Sequence, residues 1–539
     1  MKKIIYITLI AVVTACSGEK EVVNAPKASI YDFDKTITME GLKSDLTIIA
    51  SDEFEGRETG EEGIRKATDY IVGRYVEMGL KPVGDNNTYE QGFDLYSPAV
   101  EGYSYTLTST EGNTLSETSL NKEESGDFTT LLGGNGNLSG EIIFAGYGIS
   151  NDEANQLPEE VTDKWILVFF DREISNQSAI QALLRKGAAG VILISDLDDP
   201  TSFKTSSEEA QSGLGRAGRL SLAYLSDRAS VSPAWNLIKP ELAVQLLDKE
   251  NLSTLIKMGE DLKENPKDFK PTELDFTLSH EATVNNNVVK ASNIAAYLEG
   301  SDPMLKDELV VLSAHHDHVG IGRPDSTGDT LYNGADDDGS GTVGLLNTAQ
   351  AMMAAYKAGA GPKRSVLFLH VTGEEKGLLG SRYYSDHPIF DIEKTVANIN
   401  VDMIGRVDKE HEDNKDYIYV IGGEIISSGL DSLLSSANEA SVNIDLSKRY
   451  NDLEDPNRFY RRSDHWNFGR LGVPFIFFFN GVHDDYHRPS DSIEKIEWEA
   501  ITKRTRLVYM TTAMIANSDT RPLVDNQEFI EKTQVQARN

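Results

Sequence analysis

Apolar positions follow three kinds of pattern along the chain. From Glu62 to Met78 they recur at helical spacing (Ile64, Ala67, Ile71, Tyr75, Met78), and Gly79 supplies a stop. Between about residues 100 and 285 the pattern turns strand-like. Segments 141–148 and 165–170 run apolar, 179–186 reads as a helix, and a small-residue turn at 187–190 leads into the apolar run 191–194. From Asn293 onward, short runs with the character of buried strands (310–312, 366–369, 399–401, 417–421 and 475–479) alternate with helix-like segments such as 344–357. That alternation predicts an α/β domain with a mixed, mostly parallel sheet flanked by helices. In such sheets ligands bind beyond the carboxyl ends of the strands.

A length of 539 residues implies two or three domains. With 39% hydrophobic and 26% charged residues the chain is ordinary globular material. Its net charge of -34 argues against a nucleic-acid surface. The only cysteine is Cys16, which excludes intramolecular disulfides and zinc sites built on thiolates. Any metal must therefore be held by His, Asp and Glu. Lys2 and Lys3 precede an apolar stretch at 4–13 that is too short to span a bilayer. Val13-Thr14-Ala15-Cys16 then resembles a bacterial lipobox. The resemblance implies that Cys16 becomes the lipidated first residue of a protein anchored in the bacterial cell envelope, periplasmic or surface-exposed, without crossing the membrane. Residues 17–40 read as a polar tether, with a globular pattern setting in from Ile30.

Five polar clusters follow strands or occupy Gly-rich loops. In Ser313-Ala-His-His-Asp-His318, His315 and Asp317 share one strand face, so that Asp317 could accept the imidazole N–H, while His316 points the other way. Asn333-Gly-Ala-Asp-Asp-Asp-Gly-Ser-Gly341 offers three acids in a Gly-rich loop, which suits a metal bridge or a solvated turn; the spacing of a calcium loop is missing. In Thr372-Gly-Glu-Glu-Lys-Gly377, adjacent carboxylates diverge, so one can bind metal while the other faces substrate as a base. Asp402 closes an apolar strand, where an unpaired carboxylate is costly and a cation is a natural partner. His487 follows the apolar run Phe475–Phe479 in Tyr486-His-Arg-Pro-Ser-Asp491. Jointly these supply the two histidines and several carboxylates that two borderline metal ions need.

At this point the chain resembles metallopeptidase family twenty-eight, the co-catalytic di-zinc aminopeptidases. The pieces occur in the family order: Ala-His-x-Asp, Gly-Ala-Asp-Asp-x-x-Ser-Gly, Gly-Glu-Glu, Asn-x-Asp-Met, Ser-Asp-His and Tyr-His-x-Pro, over about 290–515. Further matches lie at 51–60 and 79–83. The resemblance implies a zinc exopeptidase fold and two Zn2+ ions acting on a peptide substrate. His315 and Asp402 would hold one ion, Glu375 and His487 the other, and Asp337 would bridge them. Glu374 matches the general base and Asp317 the residue that orients His315. Tyr460 and Tyr486 each match a tyrosine that supports the oxyanion in some members. Residues 130–235 resemble a β-rich protease-associated domain.

The expected domains are the leader at 1–16, the tether at 17–40 and the first part of the peptidase at 41–105. The insertion with its connections takes 106–285, the catalytic part 286–520 and a tail 521–539. Two other readings stay open. A carboxypeptidase or dipeptidase could use Arg458, Arg461 or Arg462 to grip a substrate carboxylate. A non-catalytic receptor of the same fold would be expected to lack ligands that are all present in this chain.

Overall fold

A computed structural model describes residues 28–535 apart from 121–125, 134–135, 172–173, 198, 200, 208–219 and 226–232. Cys16, its leader and the tether up to residue 27 lie outside the described residues. None of the described helices is long and apolar enough to cross a membrane.

The helix Glu62–Met78 forms as its periodicity predicts and ends on Gly79, whose φ of 80° allows the left-handed stop. It buries Ile64, Ala67, Ile71, Tyr75 and Met78, the predicted apolar stripe. The strands Leu309–His315, Ser365–Val371, Thr395–Val401 and Phe475–Phe479 are buried along their whole length. All three of their pairings are parallel, as expected where helices cover both faces. Beyond Phe475–Phe479 the strand Tyr417–Gly422 pairs antiparallel, which makes the sheet mixed. Helices Gly341–Lys357 and Trp498–Asn517 pack on it through a core that includes Val343, Leu346, Leu507 and Val508.

Two long strands, Glu90–Ser109 and Thr272–Leu298, are not predicted by the pattern. They pair antiparallel from Glu90↔Ile294 to Ser109↔Phe276 and carry the chain out of the peptidase sheet and back. Polar residues run through them, including Asn285, Asn286 and Asn287, so hydrophobic periodicity gives little sign of them. Thr272–Leu298 joins the two regions, pairing with Ser365–Val371 near one end and with Gly136–Phe144 near the other. The inserted region then continues in parallel through Trp165–Phe169, Gly190–Ile194 and Ala234–Ile238. Its cores gather Phe144, Trp165 and Ile192 on one side and Ile166, Ile180 and Val191 on the other. The helix read over 179–186 is Gln177–Arg185, and two further helices, Pro240–Leu246 and Leu252–Glu264, accompany these strands.

The last part of the tether expected over 17–40 is packed onto the domain. Ile30 and Ile37 are buried. Tyr509 donates its hydroxyl to the Ile30 carbonyl at 2.7 Å, and Arg506 donates to the Ile37 carbonyl at 2.9 and 3.1 Å. Both partners lie on a helix far along the chain, which local polarity could not reveal. The expected tail likewise contains a helix, Gln527–Thr533, that buries Phe529.

Candidate metal centre

The chain leaves the central strand Leu309–His315, forms the neighbour Ser365–Val371 on one side, then returns to form Thr395–Val401 on the other. The strand order reverses there and a crevice opens at the carboxyl ends. The buried strands hold mostly apolar residues, so the polar side chains gather where the strands stop. His315 ends its strand, Glu374 and Glu375 follow Val371, Asp402 follows Val401, and His487 lies on the loop after Phe479.

These groups meet around Asp337. Its Oδ1 lies 3.3 Å from His315 Nε2, which is itself 3.5 Å from Asp402 Oδ1. Its Oδ2 lies 3.1 Å from His487 Nε2, which is 3.0 Å from Glu375 Oε2. A third imidazole, His318, places Nδ1 2.9 Å from Glu375 Oε1 and 3.7 Å from Asp337 Oδ2. Asp337 Oδ2 and His318 Nε2 are buried without a hydrogen-bond partner. Burial alone would raise the Asp337 carboxyl; the three imidazoles outweigh it and hold the group well below the usual carboxylate range. Partial burial works against charge on His487, yet the Asp337 and Glu375 carboxylates beside it push it up to about 10. Carboxylates and imidazoles with outward-facing lone pairs, converging on an orphaned oxygen, fit one or two cations with N and O ligands.

Asp338 also lies within reach of His315 and Asp402. Three backbone N–H groups already use it. Oδ1 accepts the N–H groups of Gly341 (2.9 Å) and Met403 (3.0 Å), and Oδ2 accepts that of His315 (3.2 Å). The carboxylate thus ties together a helix start and two strand ends. Gly341 is required here because a Cβ would collide with Asp338 Oδ1 and the Val401 carbonyl. Asp336 turns away and accepts from Gly405 N, Ser340 Oγ and His483 Nε2 at 2.6, 2.9 and 3.1 Å. Asp491 accepts the backbone N–H groups of Asp336 and Asp337. Of the three acids, Asp337 alone keeps a free oxygen toward the centre.

The supporting groups divide as follows. The nearest partner of His315 Nδ1 is the Asp317 backbone carbonyl at 3.0 Å, with the Asp317 carboxylate at 3.7 Å. That carboxylate accepts from Thr59 Oγ1 (3.0 Å) and from the Glu374 backbone N–H (3.2 Å). His316 points into the core as expected, toward the Val371 carbonyl. Asp402 accepts the Ser463 hydroxyl at 2.6 Å, and Ser463 in turn accepts from Asn400. The buried guanidinium of Arg57 donates to the carbonyls of Ile49, His316, Asn333 and Gly334. It therefore clamps the loops that carry His315–His318 and Asp336–Asp338.

A small hollow opens over this centre. His315, Asp337, Glu374 and Asp402 line its base, with Met403, Phe459, Phe477, Phe479, Val482, Tyr486 and Arg462 around them. Removal from water, together with the Glu375 and Asp402 carboxylates, holds Glu374 well above the usual range against the opposing pull of His315. Of the two candidate tyrosines, Tyr486 lines the hollow, while Tyr460 is buried edge-on against Trp466, 5.9 Å between rings.

Residues 293–512 match peptidase family M28. Among curated proteins, a probable leucine aminopeptidase of Arthroderma benhamiae is 28% identical over 211 residues, 38% of this chain and 54% of that protein. Aminopeptidase Y of Saccharomyces cerevisiae is 26% identical over 257 residues, 46% of this chain and 42% of that one. The chain thus spans about half the length of the curated relatives it matches. Among solved structures, an aminopeptidase from Aneurinibacillus sp. strain AM-1 superposes with a TM-score of 0.53 at 16% identity, covering 92% of this chain and 98% of that one. That likeness shows the fold. The M28 match contains His315, Asp337, Glu374, Glu375, Asp402 and His487, and leaves out Arg57 and the whole of 106–285.

Sequence reasoning did not single out His318, Asp338, Ser463 or Arg57 for a role. His318 was visible as the third histidine of its cluster, and Arg57 as part of the match at 51–60. Ser463 and Asp338 were visible only as members of the Ser-Asp-His piece and of the three-acid run, because their partners are remote in sequence.

Proposed function

We propose that the chain is a zinc-dependent aminopeptidase that hydrolyses N-terminal residues from peptides with a pair of zinc ions. The observation that carries this reading is the convergence of His315, Asp402, Glu375 and His487 on the two oxygens of Asp337, within a segment that matches a peptidase family. His315 and Asp402 would hold one ion, Glu375 and His487 the other, and Asp337 both. His318 lies close enough to compete for the second position. Three ligating carboxylates against two divalent cations leave one positive charge, which ionised Glu374 balances. When bound, the zinc pair supplies Lewis acidity to a water and to the scissile carbonyl.

The rest is done by the chain's own groups. Glu374 takes the proton of the attacking water and passes it to the departing amine. Asp317 fixes the Glu374 backbone and stands beside His315, so that acid and ligand keep one geometry. Tyr486 offers its hydroxyl to the oxygen that gains charge, a role for which its place in the hollow favours it over Tyr460. The first residue's side chain rests on Met403, Phe477 and Phe479. So small a hollow suits removal of a terminal residue better than cleavage within a long chain.

Zinc content and turnover measured together test this. About two zinc ions per chain, with hydrolysis of free but not N-acetylated aminoacyl substrates and loss on chelation, is the expected result. Cleavage of N-blocked peptides would move the assignment to a carboxypeptidase. Zinc-replete protein without stoichiometric metal would overturn the site.

A further inference from the structure

The arginines at 458, 461 and 462 stand close together in sequence, and the structure gives them different surroundings. The Arg461 guanidinium stacks over the rings of Tyr460 and Trp466, at 5.0 and 4.8 Å. Arg458 holds a left-handed turn, φ 51°, at the start of the short helix Phe459–Arg461. Arg462 lines the hollow that holds His315, Asp337, Glu374 and Asp402.

Arg462 is exposed and has no ion pair with any carboxylate among the described residues. Its guanidinium lies 5.3 Å from the centre of the Phe459 ring, and its backbone N–H is bonded to the Phe459 carbonyl at 3.1 Å. The planar fork is therefore partly pre-oriented at the mouth of the hollow, with its donors unspent. An unpaired fork of five N–H donors is a receptor for a carboxylate, which it can bind through two parallel hydrogen bonds.

The direction of the substrate settles which carboxylate. The wall of the hollow near the base is apolar and buried, formed by Met403, Phe477 and Phe479. That surface suits the side chain of the first residue and leaves a charge there unsolvated. Of the lining residues only Arg462 and Val482 are exposed, so they mark the open side, through which whatever follows the scissile bond would leave. We propose that Arg462 is a specificity-determining residue that binds a carboxylate on the leaving side of the scissile bond, so that the enzyme favours very short peptides or an acidic second residue. This rests on the aminopeptidase reading.

The experiment compares kcat/KM for Leu-Ala with Leu-Ala amide, and for Leu-Asp amide with Leu-Asn amide, on the zinc-loaded full chain. The first pair isolates the terminal carboxylate and the second an acidic side chain. The expected result is a preference of about five- to tenfold for the charged member of at least one pair, the discrimination of one partly exposed charged pair. In Arg462→Gln that ratio falls to about one, and in Arg462→Lys it is partly kept. Because the ratio is internal to each preparation, it stays readable even if a variant loses part of its overall activity. Added salt should also compress the ratio in the unaltered enzyme, which tests the inference without any variant. Equal rates within both pairs would overturn the role of Arg462 and leave the aminopeptidase reading standing. A preference that survives Arg462→Gln would overturn it too. Failure to cleave any of the four peptides by the zinc-loaded protein would instead remove the aminopeptidase reading beneath it.

Discussion

Replacing Arg57 by lysine tests whether the centre is held together from outside its ligands. The guanidinium is fully buried and donates to four carbonyls: Asn333 at 2.7 Å, Ile49 at 2.8 Å, and His316 and Gly334 at 3.0 Å. Burial lowers its proton affinity, and Asp338, Asp337, Asp317 and Asp491 recover only part of it. Lysine keeps the charge and delivers it from a single point. An ammonium at one end of that fork can reach about two of the four carbonyls and leaves the others unpaired. At roughly 1–3 kcal/mol for each buried carbonyl left without a donor, the loss is about 2–6 kcal/mol. That is a large part of the ~5–15 kcal/mol that holds a typical domain together. Because the carbonyls belong to the segments around His315–His318 and Asp336–Asp338, zinc affinity should fall by about 10–100-fold, as for other groups that orient ligands. Urea unfolding of the metal-free protein and competition with a zinc chelator measure the two effects separately. An Arg57→Lys protein within about 1 kcal/mol of the parent, with zinc affinity unchanged, would refute the clamp.

Glu374→Gln should retain its zinc and lose about 10²–10⁴-fold in kcat, as expected for a lost general base; metal analysis beside steady-state kinetics checks both halves. Ser463→Ala removes the 2.6 Å donor to Asp402 and should weaken zinc by about 10–100-fold with little change in melting of the metal-free chain; equal affinity would show that Asp402 needs no support. With its pKa raised to about 10, His487 is protonated at neutral pH without metal, so zinc must displace that proton and affinity should climb with pH until about 10. In the metal-free fold the same group gives stability that is complete below about pH 6.5 and lost as pH rises through about 10. Calorimetry in buffers of different ionisation enthalpy reads the released proton, and a buffer-independent heat would contradict the assignment. If Cys16 is lipidated as the lipobox resemblance implies, the parent protein should fractionate with membranes and Cys16→Ser should not; equal fractionation of the two would argue against lipid anchoring.

Much of the framework was legible because it depends on neighbours in the chain. The apolar run Phe475–Phe479 is a strand as read, and Glu62–Met78 is the helix its spacing predicts. The alternation after Asn293 led to a mostly parallel sheet, and the polar clusters do fall at its strand ends. The inserted region was harder to read. Its long connecting strands carry polar residues on both sides of the turn at Gly112 and in the return arm, and so lack the contrast on which periodicity depends. Residues 30–37 fall in the stretch assigned to the tether, although a globular pattern sets in at Ile30, because their apolar content is sparse. Ile30 and Ile37 become core only by meeting a helix centred on Tyr509.

By itself the sequence determined which ligand chemistry is available. With a single cysteine and its histidines at or after His280, it restricted any metal centre to imidazoles and carboxylates at the strand ends of one domain. It could not decide among Asp336, Asp337 and Asp338 from the residues alone, because the three are chemically identical and adjacent. The tertiary structure separates them by assigning partners: Asp336 accepts from His483 and Gly405, and Asp338 from His315, Gly341 and Met403, which leaves Asp337 Oδ2 without a donor. It also brings Arg57 and Ser463 behind the centre and leaves Arg462 unpaired at its mouth. Strand character arises from residues a few positions apart, whereas the lone pairs a carboxylate has to spare depend on N–H groups that only the completed fold brings within 3 Å.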